Sequence, residues 1–449
     1  MAGDDDYKPS TGRFTRLARL ATLSAKLSTD VGARVVKRFA NRDGEDPSVS
    51  LLGHGAAEKL VATLGDLKGL AMKIGQGISM DPDLLTPEIR AVVAKLQNQA
   101  PPMPWATVKD VITKELGRPP EEAYASFEQR PVASASLGQV HRAVTKDGTT
   151  VAVKVQYPDI ARAIHADLDN LGAMVTVVAT TSRMPHGKDY FREVQQSLLE
   201  ELDYEVEAER SRKFASTLGP FPDLKVPRVF DDLTAERVLT LEYFEGETLK
   251  EFINRLDQHT EDEKFRIARL LTRMTWGPFL CSGVVHADPH PGNFMLLKDG
   301  SLGVLDFGAI KQMSEPWTFA NRKLFIALMG GPAYDPIADS AKAGMVFEDP
   351  EAARPFVATV LDIACRAARS DAFDYGEAAI NRDMRNHFLK NALSLGSIKP
   401  PKEAVQFFRA VAGMSQNLEN LKAKGPFRSV FKELHETVTQ HGRPLSVSW

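Results

Sequence analysis

Val285-His286-Ala287-Asp288-Pro289-His290-Pro291-Gly292-Asn293, followed by Leu305-Asp306-Phe307-Gly308, is the part of this chain from which its architecture is most readily read. The first run has the spacing His-x-Asp-x4-Asn. The second is Asp-Phe-Gly, and it arrives after one hairpin, Asn293–Leu297 and Leu302–Asp306, turning at Lys298-Asp299-Gly300. Phosphoryl transfer needs metal ions to neutralise crowded phosphate oxygens, and an aspartate and an asparagine at fixed positions can hold them. A carboxylate near the nucleophile can orient it or take its proton. A lone Asp-Phe-Gly is a weak signal, so the argument depends on what stands around it.

Upstream, Val140–Val144, the turn Lys146-Asp147-Gly148 and Thr149–Val155 read as a second hairpin. In Val151-Ala152-Val153-Lys154-Val155 the side chains alternate, which sends Lys154 to one face of a strand. An isolated lysine there would more often point to solvent. Here it lies between an alanine- and glycine-bearing loop and the His-x-Asp-x4-Asn and Asp-Phe-Gly pair, in the order of a kinase, a combination hard to obtain by chance. Further strands are expected at Val226–Phe230 and Arg237–Tyr243, and helices near Trp105–Leu116, from Asp159 to about Lys213, up to Leu280, and beyond Pro316. Strands and helices in segregated blocks indicate an α+β fold.

The bulk composition narrows the class. Of 449 residues, 43% are hydrophobic and 26% charged, enough apolar material for a globular core, and 56 basic against 59 acidic residues leave no global attraction to nucleic acid. Two cysteines, Cys281 and Cys365, make neither a disulfide framework nor a metal-ligand spacing, so a reducing, cytoplasmic setting is the plain reading. No run approaches the roughly eighteen apolar residues of a transmembrane helix. The leader turns basic after Asp4-Asp5-Asp6, and Phe14, Leu17, Leu20, Leu23, Leu27, Val31 and Val35 recur with helical period. Such a helix either lies peripherally on an anionic membrane or packs on the main domain with its arginines in solvent.

With these residues in place, the chain resembles the UbiB/AarF-type (ABC1/ADCK-like) atypical kinases. Ala133-Ser134-Ala135-Ser136-Leu137-Gly138-Gln139-Val140-His141 is similar to that family's alanine-rich loop, which stands where typical kinases carry Gly-x-Gly-x-x-Gly. Lys73-Ile74-Gly75-Gln76 resembles its KxGQ motif and Glu201-Leu202-Asp203 its ExD motif. The resemblance covers roughly Leu60 to Lys311, with the motifs in family order.

The resemblance implies a bilobal protein-kinase-like fold with extra C-terminal helices. Its expected divisions are a basic leader at 1–50, a helical KxGQ extension at 51–125, a kinase-like N-lobe with inserted helices at 126–246 and a helical C-lobe at 247–449. It implies ATP and Mg²⁺. Lys154 would meet the α- and β-phosphates and a helix glutamate, Glu207 in preference to Glu201. Asp288 would act in the catalytic loop, with Asn293 and Asp306 as metal ligands. Ala133, Ser134, Ala135, Ser136, Leu137 and Gly138 would cover the nucleotide, and backbone groups near Glu242 and Phe244 would face adenine. Glu201 and Asp203 would engage Lys73, folding the extension, with Gln76, over the place where a protein substrate would otherwise dock. Glu201, Asp203 and Glu207 are expected to turn partly inward, and Glu200, Glu205 and Glu209 to face solvent. His286 is read as a brace of the catalytic loop.

Only seven residues separate Gly308 from Pro316 and no Ala-Pro-Glu follows, so a long activation segment is missing. The implied activity is therefore an ATPase or a kinase for a small molecule or lipid, of the type that supports isoprenoid-quinone (ubiquinone) biosynthesis or lipid handling. Many bacterial members end in membrane helices, whereas Arg428–Trp449 carries none, so any membrane contact is expected from the leader or a partner. A nucleotide-binding pseudokinase scaffold and a protein kinase stand as the alternatives.

Overall fold

The structure is a computed structural model, and it describes residues 102–135, 137–158, 160–162, 164–165, 199–391 and 397–441. The basic leader, the KxGQ residues Lys73 and Gln76, Ser136 and the greater part, 166–198, of the helix expected from Asp159 to about Lys213 lie outside these residues. Two compact units emerge. The first takes in the described residues through Lys146, Val153–Asp203 and Glu236–Val238; the second takes in Asp147–Ala152, Tyr204–Ala235 and the chain from Leu239.

In the first unit, helix α1 (Trp105–Leu116) buries Val108, Val111 and Ile112 and stops at Gly117. Strands β1 (Ser126–Phe127) and β2 (Ala133–Ala135) both pair antiparallel with β3 (Gly138–Val144). The sheet order continues through β4 (Thr150–Gln156) to β6 (Val238–Glu242), strands whose residues divide between the two units; within the first, the Gln156 amide donates to Arg237 O at 3.1 Å. Val151, Val153 and Val155 are fully buried and Lys154 alternates with them, half-buried, as the pattern predicted. The turn into β4 uses Gly148 at φ 87°, a left-handed conformation that glycine adopts without a Cβ clash.

In the second unit, helix α2 (Tyr204–Thr217) lays Tyr204 and Ala208 on Leu239 and Leu241. The strand expected over Val226–Phe230 shrinks to a single bridge, Val229 to Leu241, because Pro227 has no N–H to give a ladder. The chain just before it forms β5 (Leu224–Lys225), which pairs parallel with β10 (Leu302–Val304). With β7 (Gly246–Thr248) and β9 (Phe294–Leu297) these make a sheet of order β5–β10–β9–β7. The β9–β10 hairpin has the predicted register, Leu302 opposite Leu296 and Val304 opposite Phe294. β8 (Val284–His286) pairs antiparallel with β11 (Ile310–Gln312).

Helices supply the core beneath these strands. After the short α3 (Leu249–Asn254), α4 (Glu261–Ser282) is opened by a capping box. Thr260 Oγ1 accepts from Glu263 N at 3.3 Å, and the Glu263 carboxylate accepts from Thr260 N at 2.8 Å. Its buried face, including Ile267, Leu271, Met274 and Phe279, runs directly into β8 through Gly283. α5 (Glu315–Leu328), α6 (Pro350–Ala364), α7 (Ile380–Lys390), α8 (Glu403–Asn420) and α9 (Phe427–His441) follow. The chain beyond Pro316 is not wholly helical, since two-residue strand pairs join Val346–Phe347 to Ile398–Lys399 and Phe373–Asp374 to Lys424–Gly425. Phe407 of α8 sits at the centre, its ring 4.7 Å from Phe279, 5.5 Å from Trp317 and 5.9 Å from Trp276. Among the described residues, no helix is long and apolar enough to cross a membrane.

Candidate functional site

The loop between β8 and β9 carries Asp288 and Asn293, and the residues after β10 carry Asp306, Phe307 and Gly308. One side chain ties the two segments together. His286 Nε2 donates to Asp306 O at 2.7 Å, while its Nδ1 accepts the Asp288 amide at 3.3 Å. A neutral imidazole satisfies both bonds at once. The ring is buried and packs against Phe214 and Phe294. His286 thus braces the loop, as expected, and it also fixes the Asp-Phe-Gly turn.

Within the loop, Pro289-His290-Pro291-Gly292 is stiffened locally. Residues Pro291–Asn293 form a 3₁₀ turn whose first N–H groups need an acceptor, and His290 Nδ1 takes the Gly292 amide at 3.1 Å. The second histidine thus caps this turn, and among the described residues no metal-ligand set surrounds it. The turn delivers Asn293, whose Nδ2 donates to Asp288 O at 3.3 Å. Asp288 itself is buried to 4% exposure.

Asp306 is held by its own turn, with Gly308 N donating to its Oδ1 at 3.0 Å. The rest of the turn is gripped by α2. Glu207, 7% exposed, accepts from Phe307 N at 3.4 Å, and Arg210 Nη1 donates to Gly308 O at 2.7 Å. These residues are three apart on one helix, so both face the turn. Phe214, two turns further, places its ring 6.2 Å from Phe307. Arg210 was not singled out in the sequence, although its spacing from Glu207 was the available signal.

The oxygen set suits a hard divalent cation. Asn293 spends its amide nitrogen on Asp288 O, which turns its oxygen outward to where a cation could meet it, and Asp306, just past β10, has a carboxylate held by its own turn. Among the described residues no group of three or more His, Cys, Asp or Glu side chains could hold a metal on its own. Mg²⁺ needs no such cage, because it keeps waters and takes phosphate oxygens beside one or two protein ligands.

The remaining predicted residues fall as follows. In the first unit, the alanine-rich segment is a hairpin rather than an open loop, with Ala133 opposite Val140, Ser134 opposite Gln139 and Ala135 opposite Gly138. Gly138 is needed for a close approach, since a Cβ there would overlap the Val155 carbonyl. Leu137 is buried with Ile160, Ile164 and Leu202. The ExD segment is anchored by Gln156 Nε2, which donates to Leu202 O at 3.0 Å; Glu201 and Asp203 are half-buried. Glu205 and Glu209 are exposed as expected, but Glu200 is half-buried rather than in solvent. Lys154 belongs to the first unit and Glu207 to the second. In the second unit, Glu242 N donates to Arg228 O and Tyr243 N to Thr150 O, while the Phe244 ring lies over Gly303, where any side chain would collide with it.

Away from these residues, burial pushes the Cys281 thiol up to about 11 and the Cys365 thiol likewise to about 11, so neither is a poised nucleophile. His141 is held neutral beneath its ordinary value by burial, against the raising effect of the Glu128 carbonyl.

Comparison with known proteins agrees with this arrangement. The family model for the ABC1 atypical kinase-like domain matches residues 95–333. The Danio rerio protein named "Atypical kinase COQ8B, mitochondrial" is 30% identical over 439 residues, covering 95% of this chain and 69% of its own. The Rattus norvegicus protein of the same name is 28% identical over 439 residues, covering 96% and 82%. Among solved structures, the Rv3197–erythromycin complex from Mycobacterium tuberculosis matches with a TM-score of 0.58 at 31% identity, over 85% of this chain and 95% of that one. The kinase order of motifs, the braced loop and these matches together mean that the chain belongs to the ABC1 atypical kinase-like family, the UbiB/AarF group its motifs resemble.

Proposed function

We propose that this protein binds ATP with Mg²⁺ and catalyses phosphoryl transfer or ATP hydrolysis in the UbiB manner, in support of isoprenoid-quinone biosynthesis or related lipid handling. The observation that carries the reading is the single bracket formed by His286, which holds the Asp288 amide and the Asp306 carbonyl at once. That bracket keeps a candidate base and a candidate metal ligand in fixed relation, and fixed relation is most of what catalysis of phosphoryl transfer requires.

In this reading Mg²⁺, when bound, supplies positive charge to the phosphate oxygens. Asn293 and Asp306 hold it, Lys154 neutralises the α- and β-phosphates, and the alanine-rich hairpin covers the nucleotide. Asp288 orients the attacking hydroxyl, of water or of a phenol or lipid headgroup, and accepts its proton at a carboxylate oxygen. A protein acceptor is disfavoured because Ile310–Gln312 is already paired with β8 and α5 starts at Glu315, leaving no platform for a peptide after Gly308.

The test is ATP turnover by the full chain against Asp306→Asn and Lys154→Ala, with and without liposomes and a phenolic quinone-precursor mimic. Turnover that collapses in both variants and rises with lipid or phenol supports the reading. Tight Mg-ATP binding without turnover in any condition replaces it with a nucleotide-binding scaffold, and efficient phosphorylation of a protein added in trans replaces it with a protein kinase.

A further inference from the structure

Helix α8 lies beyond the span matched by the family model, which ends at residue 333, and beyond every motif read in the sequence. It nevertheless reaches the catalytic loop twice. Arg409 Nη2 stands 3.5 Å from Asp288 Oδ1, and Asn417 Nδ2 donates to Pro289 O at 2.7 Å. The two residues are eight apart, close to two helical turns, so they share one face. Gly413, midway between them on that face, is buried.

The helix is well placed to act as a reference. Its other face buries Phe407, Ala410, Met414 and Leu418 in the main core. Its first turn is tied to α5, because Ser314 N donates to Glu403 Oε2 at 2.7 Å while Ser314 caps that helix. Asn417 is 3% exposed, and its bond fixes the carbonyl of Pro289, the residue after Asp288. The Arg409 side chain is 39% exposed while that of Asp288 is 5% exposed. A pair that open at one end and 3.5 Å long is screened by water and contributes little to stability. Its effect is on where the carboxylate points, because it is one of the contacts that limit rotation of the carboxylate about its last bond.

We propose that α8 sets the geometry of the catalytic loop and that Arg409 is a positioning residue for phosphoryl transfer, acting through Asp288. The inference rests on the reading of Asp288 as the orienting base. Arg409 makes the aim of the carboxylate depend on a helix outside the kinase motifs, while Asn417 keeps the loop backbone at the height of that helix.

The experiment compares the full-length protein with Arg409→Met, which keeps the stem, and Arg409→Lys, which keeps the charge but not the fork. Steady-state turnover over a range of Mg-ATP and hydrogen exchange of the peptide covering residues 284–297 are both measured, with thermal midpoints as a control. Arg409→Met is expected to lower kcat by roughly 10- to 100-fold, the range that a misplacement of about an ångström produces, with KM for ATP within about twofold. Arg409→Lys is expected to recover part of kcat, and exchange in the loop peptide to quicken only modestly in Arg409→Met, about two- to fivefold as the loss of a half-exposed pair allows, while peptides from α4 stay unchanged. A kcat within twofold of wild type overturns the proposal, as does a rise in KM that accounts for the whole loss. If the wild-type protein shows no turnover, the proposed function falls, and the exchange result decides the proposal alone. Faster loop exchange then upholds Arg409 as the residue that positions Asp288, and unchanged exchange overturns it. Should Arg409→Met prove unfolded, the same two readouts on Arg409→Lys decide.

Discussion

Replacing His286 with leucine removes the bracket between the catalytic loop and the Asp-Phe-Gly turn while keeping a buried apolar side chain of similar size. The Asp288 amide, buried with its residue, loses its acceptor, which costs about 1–3 kcal/mol for an unsatisfied polar group. The Asp306 carbonyl belongs to a half-buried residue that water can reach, so losing its donor costs only about 0.5–1.5 kcal/mol. Together these give a local loss of about 1.5–4.5 kcal/mol, or about 10- to 1,600-fold in an opening equilibrium at about 1.4 kcal/mol per factor of ten. The assay is native-state hydrogen exchange. Its fair reporter is the Ala287 amide, whose own bond to Ala309 O at 2.9 Å survives the substitution, so any faster exchange reflects opening of the loop. Amides in the middle of α4 serve as the reference. If Ala287 exchanges within threefold of wild type, the bracket is not what holds the two segments, and the argument built on it fails.

Phe407→Ala is expected to destabilise the second unit by about 3–5 kcal/mol, since the rings of Trp276, Phe279, Trp317 and Phe408 all close on that side chain; denaturant titration followed through Trp276 and Trp317 fluorescence checks it. Gly138→Ala should cost about 1–3 kcal/mol, because the new methyl overlaps a backbone carbonyl of β4 that cannot move aside alone; an unchanged thermal midpoint would contradict that packing. For pH, the neutral His141 ring accepts from Gln139 Nε2 and donates to Glu128 O, each at 2.8 Å, and burial depresses its proton affinity when folded. The unfolded chain therefore binds the extra proton. Stability from this group is complete above the ordinary histidine value of 6.5, falls as pH drops below it, and levels off once the folded ring is protonated. His141→Gln should flatten the wild-type loss of thermal midpoint between neutral and mildly acid pH, and parallel curves would count against the burial argument.

What the sequence made legible was mostly what is local. The His-x-Asp-x4-Asn run and Asp-Phe-Gly flank one hairpin, so their spacing already implies proximity, and the structure adds only the histidine that joins them. Alternation announced β4 because Val151, Val153 and Val155 are all buried on one face. The misses have physical causes. β5 is two residues long, too short for any period to register, and its parallel partner β10 is remote in the chain. Gly138 stands in the sequence only as part of the alanine-rich loop, and nothing there marks its close approach to the Val155 carbonyl. Arg409 and Asn417 sit in an ordinary amphipathic helix, where nothing marks the face that meets Asp288 and Pro289. Lys73 and Gln76, the residues that most distinguish the family reading from an ordinary kinase, lie outside the described residues.

The pairing of Ile310 with His286 and of Gln312 with Val284 begins two residues after Gly308, and Ser314 then caps the next helix at once. The chain has no slack at this point, and so nothing to fold away or unfold as a cover over the catalytic loop. A switch thrown by adding phosphate to such a cover has no hardware here. Phosphatase treatment should accordingly leave activity untouched as far as this segment is concerned, and any gating of the site falls to parts of the chain other than residues 309–314.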